Sequence, residues 1–350
     1  MKKKILVSAL EPSSNLHLTE LLKHLDDVEL SGIFDSRFGK PNYDLSSMAI
    51  MGFVDAFKKL PFLLKLNSQM ADLAADVDVV LLMDGSGFNL PLAKKIKNRY
   101  PDKKIIYYIL PQAWAWKKGR IPKIEKFCDK LCSILPFEKE YYNKKEMIEY
   151  VGHPLLDELT HFKEELEPSG KIVFMPGSRK KEISTNMPIF KEIAKELKEN
   201  KKLYVVIPPK FDQNFIDTYY GDLSDFEIVN DTNKALLDAE FAFICSGTAT
   251  LEAALIGTPF VLSYIANAID YFIGSKLVKL KYIGLANIFF DKIGEGALHK
   301  EYVQDEVTKE NLLDEYYNMD RENYLAKSKR LREYLATGSS ANVASIIKNI

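Results

Sequence analysis

Phe241-Ala242-Phe243-Ile244-Cys245 runs straight into Ser246-Gly247-Thr248-Ala249-Thr250-Leu251-Glu252, then Ala253-Ala254-Leu255-Ile256, and closes at Gly257-Thr258-Pro259. A short unbroken apolar run bounded by small residues is a strand buried on both faces. The small residues form a tight turn, and the apolar positions after them form a helix stopped by glycine and proline. A strand, turn and helix in this order is the unit of an α/β chain, and its repetition argues for a parallel, doubly wound sheet. The helix start also offers unpaired N–H groups and a positive dipole end, an anion site to which Ser246 and Thr248 add hydroxyls. Gly247 lets a phosphate approach the backbone. Glu252, one turn beyond Thr248, is spaced to accept hydrogen bonds from ribose hydroxyls. An ordinary elbow with Thr248 as N-cap has the same sequence signature.

The same alternation fills the rest of the chain. Strands are predicted at Ile5 to Ala9, Glu29 to Phe34, Val77 to Asp84, Lys104 to Leu110, Lys130 to Leu135 and Glu149 to Gly152. Helices are predicted around Leu16, Leu18, Leu21, Leu22 and Leu25, over Ala49 to Ala75, Leu90 to Asn98, and the charged stretch Glu138 to Lys144. His161 to Gly170 is polar and reads as a linker. The pattern then restarts with strands at Lys171 to Met175, Leu203 to Ile207 and Phe226 to Val229, and a helix at Ile189 to Leu197. Tyr324 to Ile350 reads as helical with a break near Gly338. At 350 residues, two cores of ordinary size are expected rather than one. The predicted boundaries are 1–165 and 166–325, with 326–350 a terminal helix able to pack back on the first domain.

Net charge is −1, so no global basic field points to nucleic acid. Cys128, Cys132 and Cys245 include no C-x-x-C pair, and Cys128 and Cys132 have no nearby histidine; buried free thiols are expected, with no metal site. The start, Met1-Lys2-Lys3-Lys4-Ile5-Leu6-Val7, has too short an apolar stretch for a signal peptide. No run reaches the ~18 apolar residues of a membrane span. A cytoplasmic protein is expected.

Two such domains are expected to face each other across a cleft, with ligands collecting beyond the carboxyl ends of the strands. Met175-Pro176-Gly177-Ser178-Arg179 is a second elbow of this kind, where a bidentate guanidinium beside small residues suits a diphosphate. A surface turn with a solvated Arg179 reads the same way. Neither elbow has the G-x-x-x-x-G-K-[ST] or G-x-G-x-x-G spacing, which weakens ATPase and dinucleotide readings. In the first half, Asp84 of Asp84-Gly85-Ser86-Gly87 is placed to take a proton from an attacking hydroxyl, or to cap the next helix. Glu11 holds the analogous place after the first strand, where a solvated loop acid is the simpler reading. His153 reads as structural. Phe57 to Leu66, Trp114 and Trp116 beside Lys117, Lys118 and Arg120, and Tyr271 to Lys281 mix apolar and cationic residues. They suit either the edge of an anionic bilayer or amphipathic core helices.

The segments MGFVDAF (Met51 to Phe57), MDGSGFNLPLAKKIK (Met83 to Lys97), LPQAWAWKKGRIPKI (Leu110 to Ile124), LPFEKEYY (Leu135 to Tyr142), VGHPLLDE (Val151 to Glu158), MPGSRKKEI (Met175 to Ile183) and SGTATLEAALIGTP (Ser246 to Pro259) add up to a family pattern. Over nearly its whole length the chain resembles the lipid-A-disaccharide synthases of Gram-negative bacteria. The resemblance implies a GT-B fold of two Rossmann-like domains and a glycosyltransferase without a metal or other cofactor. Its donor would be UDP-2,3-diacylglucosamine and its acceptor 2,3-diacylglucosamine 1-phosphate, joined β-1,6 with inversion and release of UDP. It further implies attachment to the inner face of the inner membrane and leaves the oligomeric state open, a homodimer included. By motif match Asp84 falls on the candidate base, and Arg179, Ser246, Thr248 and Glu252 fall on the nucleotide site. Asn287 and Gln304 fall on polar cleft positions. The first elbow departs from the family's G-E-x-S-G-D, reading Leu10-Glu11-Pro12-Ser13-Ser14-Asn15. Gly87 replaces a common acid, and Leu285-Ala286-Asn287 replaces Leu-Pro-Asn. Two rivals remain open: a UDP-sugar epimerase of the same fold, and a non-catalytic lipid or nucleotide-sugar-binding module.

Overall fold

A computed structural model describes residues 2–44, 60–115, 118–265 and 281–350. The chain divides into two units, Met1–Glu158 with Leu335–Ile350, and Leu159–Tyr334.

In the first unit, β1 (Lys3–Ala9), β2 (Val28–Phe34), β3 (Tyr43–Asp44), β4 (Val79–Met83), β5 (Lys104–Tyr108), β6 (Lys130–Ser133) and β7 (Ile148–Tyr150) form one sheet. The order is β3-β2-β1-β4-β5-β6-β7, and every neighbouring pair is parallel. Leu6, Val80, Leu82, Ile105 and Tyr107 face one core, while Ile5, Val7, Val79, Leu81 and Met83 face the other. This two-residue period with helices on both sides is why Val79 to Met83 is apolar throughout. The second unit repeats the plan with β8 (Lys171–Met175), β9 (Lys202–Val206), β10 (Glu227–Val229), β11 (Phe241–Cys245), β12 (Phe260–Tyr264) and β13 (Glu301–Val303). Its order is β10-β9-β8-β11-β12-β13, again all parallel. Phe174 and Phe243 stack at 5.1 Å inside it.

Several elements differ from the sequence reading. The helices Ser86–Arg99 and Lys180–Leu197 begin well before Leu90 and Ile189. Their polar first turns carry no apolar period, and Pro91 and Pro188 sit inside each without ending it. The charged stretch after Glu138 is a 3-10 turn, Glu138–Tyr141, rather than a helix. The Glu125 carboxylate draws the Asn143 and Lys144 N–H groups away, at 2.5 and 2.8 Å. Glu138 is buried on the Ser133 hydroxyl at 2.6 Å, and burial pushes its carboxyl up to about 8. Of Ala49 to Ala75, the described part is the helix Leu60–Leu73 and the turn Ala74–Asp76; the rest lies outside the described residues.

The stretch expected as a linker packs on the second unit. Lys163 N–H donates to the Ile256 carbonyl at 2.7 Å, and Arg332 lies 4.8 Å over the Phe162 ring. The helix Arg321–Leu335 runs in the second unit up to Tyr334, and Ser339–Lys348 packs on the first. Val343, Ala344 and Ile347 enter the core that holds Leu18 and Leu21. Burying the valine and isoleucine alone contributes about 3–6 kcal/mol before ordering costs. The Asp157 carboxylate closes the docking by accepting the Gly338 and Ser340 N–H groups, each at 2.7 Å. All three cysteines are buried and free, with burial pushing Cys132 and Cys245 up to about 12. Among the described residues, no helix is long and apolar enough to cross a membrane.

Candidate active site

Parallel strands share one carboxyl edge, and a crevice opens where the strand order reverses. In the first sheet the reversal lies between β1 and β4, and in the second between β8 and β11. Glu11 and Asp84 follow the first pair of strands; the elbows at Gly177 and Ser246 follow the second pair.

Ala9 pairs with Met83 in register, and Leu10 packs against Gly85, bringing the turns of Glu11 and Asp84 together. The strand ends at Met83 rather than Asp84, which has φ +47 and is followed by Gly85 at the same φ. A left-handed aspartate is uncommon and must be held. The Asp84 carbonyl accepts the Asn89 amide at 2.9 Å and the Tyr107 hydroxyl at 2.7 Å. Buried Asn89 also donates to the Met83 carbonyl at 3.1 Å and accepts from the Ser8 hydroxyl at 2.7 Å. Gly85 is the N-cap of the next helix and has no side chain of its own to cap it; its N–H is hydrogen-bonded to the Asp84 carboxyl. Burial raises the Asp84 carboxyl above its ordinary value, offset in part by the Gly85 N–H and by His17. Partial desolvation and then the neighbouring Asp84 charge raise Glu11, although the residue is exposed. Two acids kept more basic than usual at one crevice suit proton transfer.

Asn15, where the family pattern has an acid, donates to the Ala9 and Glu11 carbonyls at 3.0 Å each and accepts the Asp35 N–H at 2.8 Å. A carboxylate could not make the two donations. Asn89 and Tyr107 were not singled out in the sequence; for Asn89 the one available signal is an amide on an otherwise buried helical face.

In the second unit the N-cap is Gly247 rather than Thr248, and no side chain caps the helix Thr248–Ile256. The buried Thr250 hydroxyl turns back to the Gly247 carbonyl at 2.7 Å. Gly247 and Thr248 are exposed, and among the described residues the Thr248 and Ala249 N–H groups find no acceptor. This turn keeps the open anion geometry, with Glu252 half-buried one turn on.

The other elbow is filled. Oε2 of Glu182 accepts the Ser178 and Arg179 N–H groups at 3.0 and 3.2 Å, and Oε1 accepts the guanidinium at 2.6 Å. Gly177, at φ +112, is needed because a Cβ there would lie 2.6 Å from that of Glu182. In this structure the N–H groups of Ser178 and Arg179 are thus taken up by Glu182. Arg179 remains available, its side chain 81% exposed.

Asn287, expected at a polar cleft position, has its amide occupied within its own unit. It is fully buried, donating to the His299 carbonyl and Glu301 at 2.9 and 2.7 Å and accepting the Leu298 and His299 N–H groups at 2.7 and 3.0 Å. With both donors and both lone pairs used, it holds the loop before β13 instead of meeting a ligand. Gln304 follows β13 on the carboxyl edge with φ +57, a strained backbone for a non-glycine residue.

Trp114 is also not at a membrane edge: it is buried with its ring 4.9 Å from Phe137. Trp116, Lys117, Phe57 to Lys59 and Tyr271 to Lys279 lie outside the described residues. His153 is buried, and that burial pushes it down to about 3, a neutral structural residue.

A family model described as lipid-A-disaccharide synthetase matches residues 5–347. The lipid-A-disaccharide synthase of Helicobacter pylori (strain Shi470) is 51% identical over 353 residues, covering 97% of each chain. That of Campylobacter jejuni (strain RM1221) is 46% identical over 373 residues, covering 99% of this chain and all of the relative. Among solved structures, Acinetobacter baumannii MurG has a TM-score of 0.56 at 13% identity, with 100% of both chains covered. The S. aureus MnaA–UDP co-structure has a TM-score of 0.60 at 15% identity, covering 97% of this chain and 94% of that one. At such identities the structures share the fold alone, that of GT-B glycosyltransferases and epimerases.

Proposed function

The chain belongs to the lipid-A-disaccharide synthase family, and on that premise we propose how its two units divide the reaction. The family's chemistry moves 2,3-diacylglucosamine from UDP to 2,3-diacylglucosamine 1-phosphate, with inversion to a β-1,6 linkage and release of UDP. The Leu159–Tyr334 unit is the donor domain. Arg179 and the turn Ser246 to Thr248 meet the diphosphate, Glu252 the ribose, and Gln304 the same carboxyl edge. The unit completed by the terminal helix is the acceptor domain, with Asp84 as base and Glu11 as the second acid.

Asp84 takes the proton of the acceptor's 6-hydroxyl as that oxygen bonds to C1 of the donor sugar. The bond from C1 to the diphosphate oxygen breaks on the opposite side, and UDP leaves with its electron pair. Charge on the leaving group is met by the guanidinium and the helix N-terminus, so this reading calls on no metal. The held, left-handed Asp84 at the first switch point is the observation that carries the proposal. The test is incubation with UDP-2,3-diacylglucosamine, with and without the lipid monosaccharide phosphate, followed by mass analysis. UDP release should require the acceptor. Conversion of the UDP-sugar without acceptor would instead establish the epimerase reading.

Both substrates carry acyl chains, which supports a cytoplasmic protein held peripherally on the inner face of the inner membrane. Phe62 and Leu64 are 38% and 58% exposed beside the exposed Lys65, an apolar-basic surface suited to an anionic bilayer.

A further inference from the structure

The main chain of Asp84 is gripped at both ends. Its N–H donates to the Tyr108 carbonyl at 3.2 Å, and its carbonyl accepts both the Asn89 amide and the Tyr107 hydroxyl, at 2.9 and 2.7 Å. Three elements converge there. β5 brings Tyr107, the helix Ser86–Arg99 brings Asn89, and β1 brings Ser8, whose hydroxyl donates to Asn89 Oδ1 at 2.7 Å. That bond agrees with the way the carboxamide lies, because only its NH2 can serve the Met83 and Asp84 carbonyls. A carboxylate at position 89 would have no proton for either. Ser8, Asn89 and Tyr107 are fully buried, so none of them touches a substrate, and the reaction drawn above uses none of them.

The grip reaches the carboxyl through one peptide unit. The Asp84 carbonyl and the Gly85 N–H belong to the same trans peptide and point to opposite sides of the chain. Two donors draw the carbonyl inward, so the N–H is turned the other way, where it is hydrogen-bonded to the Asp84 carboxyl. We propose that Asn89 and Tyr107 are positioning residues of the transfer: clamped on the Asp84 carbonyl, they set this peptide and through it the aim of the carboxyl that takes the proton. This rests on the reading of Asp84 as the base. Gly85 adopts its φ of +47 at no steric cost, whereas the same angle in Asp84 crowds Cβ against the carbonyl oxygen. Without the clamp, relief lies in turning φ or the Asp84–Gly85 peptide toward ordinary values, and either movement swings the carboxyl off its present line. Burial holds the Tyr107 hydroxyl well above its usual range, so it stays a donor throughout the neutral range.

The test measures acceptor-dependent UDP release by the full-length wild type, Tyr107→Phe and Asn89→Asp, each variant alone and combined with Asp84→Asn. Tyr107→Phe removes one oxygen and leaves the Asp84 carbonyl its bond from Asn89, so no buried group is orphaned. It should lower kcat about tenfold, as a small misplacement of a reacting group does. Asn89→Asp has at most one proton where two are now given, and should lower kcat by more than about thirtyfold. KM for both substrates and UDP affinity should stay within about threefold in both. In the Asp84→Asn background neither change should slow the remaining turnover by more than about twofold, because no base is left to aim. A folded variant with wild-type kcat removes that residue from the clamp, and Tyr107→Phe decides alone if Asn89→Asp does not fold. A loss carried by KM with kcat unchanged overturns the proposal. So does a variant that costs its full factor again when Asp84→Asn has already slowed the enzyme. Near wild-type turnover in Asp84→Asn alone would instead fail the base reading, and the positioning role with it, so the two failures are read from different proteins.

Discussion

At Arg179 the guanidinium donates to Glu182 at 2.6 Å while most of the side chain stays in water. An exposed ion pair of this kind contributes about 1 kcal/mol or less, so exchanging Glu182 for a doubly charged diphosphate is inexpensive. Arg179→Ala should therefore weaken UDP binding by about 1.5–3 kcal/mol, roughly tenfold to over a hundredfold, with little change in folding stability. Calorimetric titration returning wild-type affinity would remove Arg179 from the diphosphate site. The position of Arg179 was legible because a polar turn follows an apolar run. Its saturation by Glu182 was not, since that depends on the close approach allowed by Gly177. Asn287 shows the same limit from the other side. Polar residues that satisfy a buried loop and polar residues that meet a ligand are the same letters, and only the closed set of four hydrogen bonds tells them apart.

Among elements, the terminal helix Ser339–Lys348 depends on a residue far away in sequence. Its N-cap, Gly338, has φ +90 and no side-chain cap of its own, so the Asp157 carboxylate supplies the acceptor for two of its N–H groups. The Tyr108 hydroxyl and Asn342 amide add bonds to Ser339 and the Val151 carbonyl at 2.8 and 3.0 Å. Asp157→Ala leaves those N–H groups without their carboxylate and should destabilise the first unit by about 1–3 kcal/mol. Urea unfolding followed in the first unit should show it as a lower midpoint with an unchanged slope; an unchanged midpoint would mean that packing of Val343 and Ile347 alone holds the helix. The buried strands were readable because their apolar runs are uninterrupted. Helix starts were not, because Ser86 and Lys180 open on polar turns with prolines further in, where periodicity has no purchase.

For the whole molecule, binding to anionic vesicles should weaken with added salt, since part of the attraction is screened Coulomb energy. Ser in place of Phe62 and Leu64 should reduce the binding that remains at high salt. Flotation that is equal on neutral and anionic vesicles at every salt concentration would contradict the electrostatic part, and an unaltered double variant would contradict the apolar part. The two-sheet plan was legible from the alternation of runs. The boundary was not, because the polar stretch 161–170 draws its order from the second unit, through Lys163 and Phe162, rather than from its own composition. The central claim is that the first unit supplies the base while the second holds UDP, and Asp84→Asn measures it most directly. Asparagine keeps the shape and tolerates the left-handed backbone but cannot take the proton. A positioned base contributes about 10²–10⁴-fold in rate, so kcat should fall at least about a hundredfold while UDP affinity, measured by calorimetry on the same protein, stays within about twofold. Turnover near the wild-type value would contradict the account and pass the role to Glu11.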